Sequence, residues 1–168
     1  DGILDINDNI FINADPDWYG SINATLRVKN FDLFMDWYFV QGVTRVNSIL
    51  ANGEYWKAST NGPVVPYYTP ESPSTEWPMA NANAAWLKYL NSFAAKDASY
   101  QRLRTVTVGY NFGDSLNQLL NTKSGRLYFT GTNLLTFTDF LSYSPEQDLR
   151  AGVFPETLNM TLGMKLTF

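Results

Sequence analysis

The sequence predicts an all-β chain: about five strands of a larger transmembrane β-barrel, carrying long extracellular loops. Three observations lead there. The final stretch, Thr157 to Phe168, alternates without a break: Leu158, Met160, Leu162, Met164, Leu166 and Phe168 share one parity, and Thr157, Asn159, Thr161, Gly163, Lys165 and Thr167 the other. Successive strand residues point to opposite faces, so one face is fully apolar and the other polar, a pattern that a half-buried soluble strand can show and that a transmembrane barrel strand, with lipid outside and water inside, should show. Short and long connections then alternate along the chain. Finally, aromatic residues make up 15% of the sequence, while its longest apolar run, Phe31 to Val40, is interrupted by Asp32 and Asp36. No stretch has the length and apolarity of a membrane-spanning helix.

The elements follow in order. Asp1 to Trp18 is rich in Asp, Asn and Pro and reads as loop. Tyr19 to Lys29 is the first strand, with Ile22, Ala24, Leu26 and Val28 on one parity. Lys29-Asn30 marks a tight turn into a second strand, Phe31 to Gln41. Its Phe31, Leu33, Met35, Trp37 and Phe39 oppose Asp32, Phe34, Asp36 and Tyr38. On these two strands alone, a hairpin over a soluble core fits as well as a barrel. Alternation stops from Gly42 to Ala98, where Ser48 to Ser59 suits a short helix and the prolines of Tyr68 to Pro78 exclude regular sheet. So long a connection is unusual in a compact soluble domain and ordinary outside a barrel, and this tips the reading toward the membrane. Ser99 to Phe112 is a third strand, with Val106, Val108, Tyr110 and Phe112 on one face. Gly113 to Ser124 is a short connection with a helical turn through Leu116 to Leu120. Gly125 to Leu135 is a fourth strand, Thr136 to Glu156 a second long loop, and Thr157 to Phe168 the fifth strand. Each strand has the roughly 9–11 residues that a tilted crossing needs. Tyr19, Phe31, Tyr110, Phe112 and Phe168 near strand ends suit interfacial aromatic girdles. With the long loops outside, Phe168 ends on the periplasmic side. Five such strands cannot close a barrel, so the expectation is a piece of a longer protein whose earlier strands complete it.

Composition also narrows the chemistry. The 168 residues carry 12 Lys plus Arg against 16 Asp plus Glu, a net charge of −4, which argues against a nucleic-acid partner. Neither Cys nor His is present, which removes disulfides, thiolate catalysis and the commonest general base and transition-metal ligand. Asp1-Gly2-Ile3-Leu4-Asp5-Ile6-Asn7-Asp8 has the spacing of the second half of a calcium loop. Asp1 falls at loop position five, Gly2 at the sharp turn, Asp5 at position nine and Asp8 at position twelve. The plain alternative is an acidic surface turn.

A family resemblance rests on an ordered series: Asp1 to Asp8; Asp15-Pro16-Asp17-Trp18-Tyr19-Gly20-Ser21; Asn30-Phe31-Asp32-Leu33; Val40-Gln41-Gly42; Tyr68-Thr69-Pro70-Glu71-Ser72-Pro73; Asp97 to Arg104; Asn133 to Phe140; and Ser144-Pro145-Glu146. The series covers nearly the whole chain and resembles the C-terminal portion of SusC/RagA-type TonB-dependent outer-membrane transporters of the Bacteroidetes. The Ser before Pro145, where that family has Asp, is a departure. The resemblance implies a barrel of about 22 strands. Its plug domain and TonB-contacting segment belong to an N-terminal region absent from this chain. It also implies a SusD-like surface lipoprotein partner, and TonB-driven import of oligosaccharides or peptides.

Two rival readings stand beside this one. A soluble β-sandwich glycan-binding module would use Trp56, Trp77 and Trp86 as sugar-stacking platforms. A glycoside hydrolase would need a carboxylate pair, for which Glu71 with Glu76, or Asp32 with Asp36, are available. No catalytic residue is assigned. Asp1, Asp5 and Asp8 are the candidate metal ligands, calcium the candidate ion.

Overall fold

The computed structural model describes residues 11–52, 61, 64–79, 90–146, 154 and 156–168. The chain divides into two compact units. One is built from residues 16–42, 99–139 and 156–168, the other from residues 1–15, 43–98 and 140–155.

The first unit is a five-stranded antiparallel sheet. Its strands are β1 (Trp18–Val28), β2 (Phe31–Gln41), β5 (Tyr100–Asn111), β6 (Ser124–Phe137) and β7 (Asn159–Thr167), paired in the order β1-β2-β5-β6-β7. All five lie within two residues of the expected bounds. Lys29 takes the turn between β1 and β2 with φ 52°, a left-handed backbone uncommon outside glycine. Between β5 and β6 a short helix, α2 (Asp114–Leu119), replaces the single helical turn read from the sequence. Asn117 braces this connection, its Nδ2 donating to the Phe112 carbonyl at 3.1 Å. An 11-residue strand such as β2 spans roughly 25 Å across a membrane at the usual tilt, about the height of a barrel's apolar band.

The register assigns the faces. Ile22 pairs with Trp37, Leu26 with Leu33, Leu33 with Val108, Val108 with Phe129 and Phe129 with Leu162, so one face is apolar across all five strands. Its members are exposed: Ile22 at 62%, Leu26 at 58%, Leu162 at 72%. The opposite face holds Asp36 at 8% and Arg102 at 3%. The sheet is therefore inside out by the standards of a soluble protein, where large apolar groups are withdrawn and charges exposed. Aromatic contacts mark both ends of the apolar face. Phe31 and Tyr110 lie 4.9 Å apart between centroids at the short-turn end, with Phe112 next to Tyr110. Trp18 and Phe39, at 5.0 Å, and Trp37 stacked on Phe137, at 6.0 Å, lie at the other. The Trp37 indole N–H donates there to Gln101 Oε1 at 3.3 Å. Tyr19 does not join this girdle: it pairs with Val40 on the polar parity, and its neighbour Trp18 takes the place expected of it.

One irregularity crosses three strands. The β2–β5 register shifts between Asp36 and Trp37, and the β5–β6 register between Leu103 and Thr105. Arg104 is the extra residue, and Asn133 on β6 adopts φ 55° beside it. A bulge re-aims the strand. Beyond it Leu103 and Gln101, not Arg102, share a face with Trp37 and Phe39, and Leu135 and Phe137 follow.

The second unit gathers the long connections. A small antiparallel pair, β3 (Thr44–Val46) with β4 (Ala95–Asp97), and a short helix, α1 (Leu90–Ala94), form within the stretch read as irregular. Of the helix expected over Ser48 to Ser59, the described residues 48–52 form a turn, with Ala51 N–H donating to the Asn47 carbonyl at 2.9 Å, and the remainder lies outside the described residues. Leu50, Val65 and Ala94 form its core, with Val46, Ala51, Trp77 and Phe93 packed around them. The proline-rich segment folds back on itself, Tyr68 N–H donating to Trp77 O at 3.2 Å and Thr69 exchanging backbone bonds with Ser72. Asn47, 1% exposed, ties the unit together. Its N–H donates to Ala94 O at 2.8 Å, its Oδ1 accepts from the N–H groups of Ile49 and Leu50, and its Nδ2 donates to Leu141 O. One buried side chain thus joins the two long connections.

Candidate functional site: the polar face of the sheet

Polar side chains on β2, β5 and β6 share one face because each strand contributes alternate residues to it. Three arginines organise that face, each with an acid and an aromatic ring. Arg126 Nη2 donates to Asp32 Oδ2 at 2.5 Å, and its guanidinium carbon lies 5.5 Å from the Tyr128 ring centroid. Asn111 Nδ2 adds a bond to Asp32 Oδ1 at 2.9 Å. Arg104 donates through Nε and Nη2 to one oxygen of Asp36, each at 2.8 Å, and sits 4.5 Å over Tyr38. Arg102 pairs with Glu156, donates through Nε to Thr136 Oγ1 at 3.0 Å, and lies 5.2 Å from the Tyr100 centroid. Between these clusters the Thr107 and Thr130 hydroxyls share a hydrogen bond of 2.9 Å.

Guanidinium groups suit these positions. Their planar donors bond carboxylates firmly while their faces rest on aromatic rings. The bulge supplies the second cluster, because it brings Arg104 to the side of Asp36. Gly109 makes room for the first: a Cβ there would lie 2.5 Å from Arg126 Nη2 and 2.7 Å from Asp32 Oδ1. The arrangement is a polar, water-compatible wall in which Asp36 Oδ1 and Arg126 Nε are buried without a hydrogen-bond partner, and it can offer rings and guanidinium edges to a polar occupant.

The carboxylate pairs proposed for hydrolysis do not assemble. Asp32 and Asp36, four residues apart on one strand, are separated by roughly 13 Å, beyond the roughly 5–9.5 Å of glycosidase pairs, and each is held by its own arginine. Glu71 and Glu76 are exposed on the fold-back loop of the second unit. Trp77 packs edge-on against Phe93 at 5.7 Å with Lys96 over its ring at 5.5 Å, in an open groove with Tyr68, Glu76 and Met79; Trp56 and Trp86 lie outside the described residues. Asp1, Asp5 and Asp8 also lie outside them, and among the described residues no three acidic side chains gather as a metal site. Sequence reasoning named Asp32 and Asp36 but missed Arg102, Arg104, Arg126 and Glu156. The signal for Arg104 was present: Leu103 and Val106 break parity across the polar pair Arg104-Thr105.

The chain matches no family model. TonB-dependent receptor P26 of Formosa agariphila is 29% identical over the whole of this chain, and TonB-dependent receptor P3 of the same organism is 29% identical over 91% of it. The chain spans less than a fifth of either relative, 19% and 16% of their lengths. Among solved structures, the RagAB peptide importer in its open-open state superimposes with a TM-score of 0.71 at 21% identity, over 95% of this chain and 18% of that one. In the closed-closed state the TM-score is 0.70 at 19% identity, over 99% of this chain and 20% of that one. The homologues of this chain are thus TonB-dependent receptors, and its all-β fold matches a fragment of such a barrel.

Proposed function

We propose, taking kinship with TonB-dependent receptors as the premise, that this chain is a section of wall from an outer-membrane transporter. Its apolar face meets lipid, its arginine-rich face lines the lumen, and its long connections stand outside the cell. The single observation that carries this reading is the inversion of the sheet: exposed Ile22, Leu26 and Leu162 on one face, buried Asp36 and Arg102 on the other. Lipid solvates the first face, and a watery or protein-filled lumen accommodates the second. The transported cargo is an oligosaccharide or a peptide. The plug and the remaining strands belong to the rest of the polypeptide, and a SusD-like lipoprotein covers the external connections. Import of peptides by RagAB supports the peptide alternative by analogy. No bond is broken: the acids of the lumen face are committed to arginines.

Labelling tests the reading. Cysteine at Leu162 or Met164 should react with a lipid-soluble probe and resist a water-soluble one. Cysteine at Thr161 or Lys165 should do the reverse in an unplugged barrel. Protection of both parities from the lipid probe would mean protein on both faces and would end the proposal.

For the half-loop at Asp1, Asp5 and Asp8 we propose calcium as the ligand, on its spacing alone. Asp5→Ala and Asp8→Ala should each abolish calcium-dependent protection of this segment from protease while the barrel still assembles. Unchanged protection reduces it to an acidic turn.

A further inference from the structure

We propose that Gly163 and Tyr128 form a steric lock that fixes the register of β7 against β6. The need for a lock follows from the sequence of β7. Its alternation fixes which face points where, because a one-residue slip would move every side chain to the other face. A two-residue slip carries no such penalty. Met160, Leu162, Met164 and Leu166 are unbranched or γ-branched apolar groups of similar size, so the apolar face is nearly the same after the shift. Within β7 itself the other fastenings are indifferent to a slip or weak, while just ahead of the strand the Arg102–Glu156 pair and the Asn133 Nδ2 bond to the Thr157 carbonyl at 3.2 Å hold the incoming chain. Lys123 N–H donates to the Thr167 carbonyl at 2.7 Å, a backbone bond any residue can accept, and the Lys123 ammonium reaches the Phe168 carbonyl at an exposed site.

The polar parity of β7 is not degenerate. Asn159, Thr161, Gly163, Lys165 and Thr167 differ, and Gly163 alone lacks a Cβ. It stands directly opposite Tyr128. The Tyr128 ring lies across it: a Cβ on Gly163 would sit 2.5 Å from the tyrosine oxygen and 2.8 Å from Cε2, closer than Cβ atoms approach anything. Gly109 is opposite Tyr128 on the other side, and Arg126 rests against the same ring. A two-residue slip in either direction would bring Thr161 or Lys165 under the ring. The ring would then have to lift away, giving up its contacts with the backbone of β7 and with Arg126. Glycine opposite an aromatic residue, covered by its ring, is a recognised way to stabilise a strand pair. Here the glycine also chooses one register from several that the apolar pattern allows.

The test uses the full-length parent protein assembled in cells, since this chain has no cysteine of its own. Cysteine pairs on the polar face report register. Thr130→Cys with Thr161→Cys, directly opposite in the structure, reads the native pairing. Thr130→Cys with Asn159→Cys, and Thr132→Cys with Thr161→Cys, read the two slipped ones. With Gly163 and Tyr128 intact, oxidation should link only the first pair. Tyr128→Ala should lower that product severalfold and raise one of the slipped products, whereas Tyr128→Phe, which keeps the ring, should not. Gly163→Val should shift the register or block assembly, and adding Tyr128→Ala should restore assembly by removing the clash. Exclusive linkage of the native pair in Tyr128→Ala, or a Gly163→Val defect that Tyr128→Ala leaves untouched, overturns the lock. A failure of the first pair to link in the unaltered background would instead indict the strand pairing itself, separately from the membrane reading.

Discussion

The two units of this chain are held together by different means. The sheet is built by repetition: five strands, one apolar parity, one polar parity, continuous from Ile22 to Leu162. The second unit is built by single contacts, with Asn47 at their centre and a core of Leu50, Val65 and Ala94. Their charges differ as well. The segments of the second unit carry ten acidic residues against five basic, and those of the sheet six against seven. The net negative charge of the chain therefore belongs to its connections, while the sheet reserves arginines for its polar face. A repeating pattern tolerates the loss of one member and fails when a face is violated. A unit of single contacts fails locally when its hub is removed.

The largest expected effect tests the first half of that contrast. Leu162→Arg places a charge in the middle of the apolar face, at a position 72% exposed. If lipid covers that face, it costs about 2–4 kcal/mol. Thr161→Arg, one residue away and facing the polar side, should cost much less. The measurement is the fraction of the parent recovered as folded barrel for each variant. Equal losses at both positions would remove the distinction between the faces.

Next in size, Asn47→Ala tests the second half. It strands the carbonyl of Leu141 and the N–H groups of Ile49 and Leu50 in a buried setting, where an unsatisfied group costs about 1–3 kcal/mol. The damage should stay within the connections: faster protease cleavage of residues 43–98 from outside intact cells, with unchanged barrel yield. A drop in barrel yield would mean that the connections support the sheet more than their separate construction suggests.

The same contrast explains what could be read from the sequence. Five strands, their order and their faces were legible because one apolar and one polar face impose a period of two on every strand. The parity of Tyr19 was legible too and was passed over in favour of its position near a strand end. Where the backbone departs from the period, reading faltered: the Arg104 bulge shifted Leu103 and Gln101 onto the apolar face, and Asn133 bent β6 beside it. The second unit was not legible. β3, β4 and α1 are three to five residues long and owe their form to long-range bonds such as Ala98 N–H to Val43 O, at 2.8 Å, and Asn47 to Leu141. No local pattern announces a contact across 94 residues. The arginine clusters fall between these cases. Their acids were named, but which cation meets which acid depends on register and bulge together.

The smallest effect concerns the bulge itself. Arg104 gives both of its bonds to one oxygen of Asp36, whose residue is 8% exposed, but the Arg104 side chain is itself 45% exposed. Water can therefore replace much of what Arg104→Ala removes, and the loss belongs with exposed ion pairs, at about 0.2–1 kcal/mol. Asp36→Asn should cost a similar amount, because the amide oxygen keeps a bond to Arg104 without the charge. Combining Asp36→Asn with Arg104→Ala should then cost less than the two separately, since each removes the same interaction. Denaturant stability of the refolded parent measures all three. Strict additivity would mean that Asp36 and Arg104 act independently, and the bulge would lose its explanation as the device that joins them. A cost several times larger for Arg104→Ala than for Asp36→Asn would point instead to its contact with the Tyr38 ring as the part that matters.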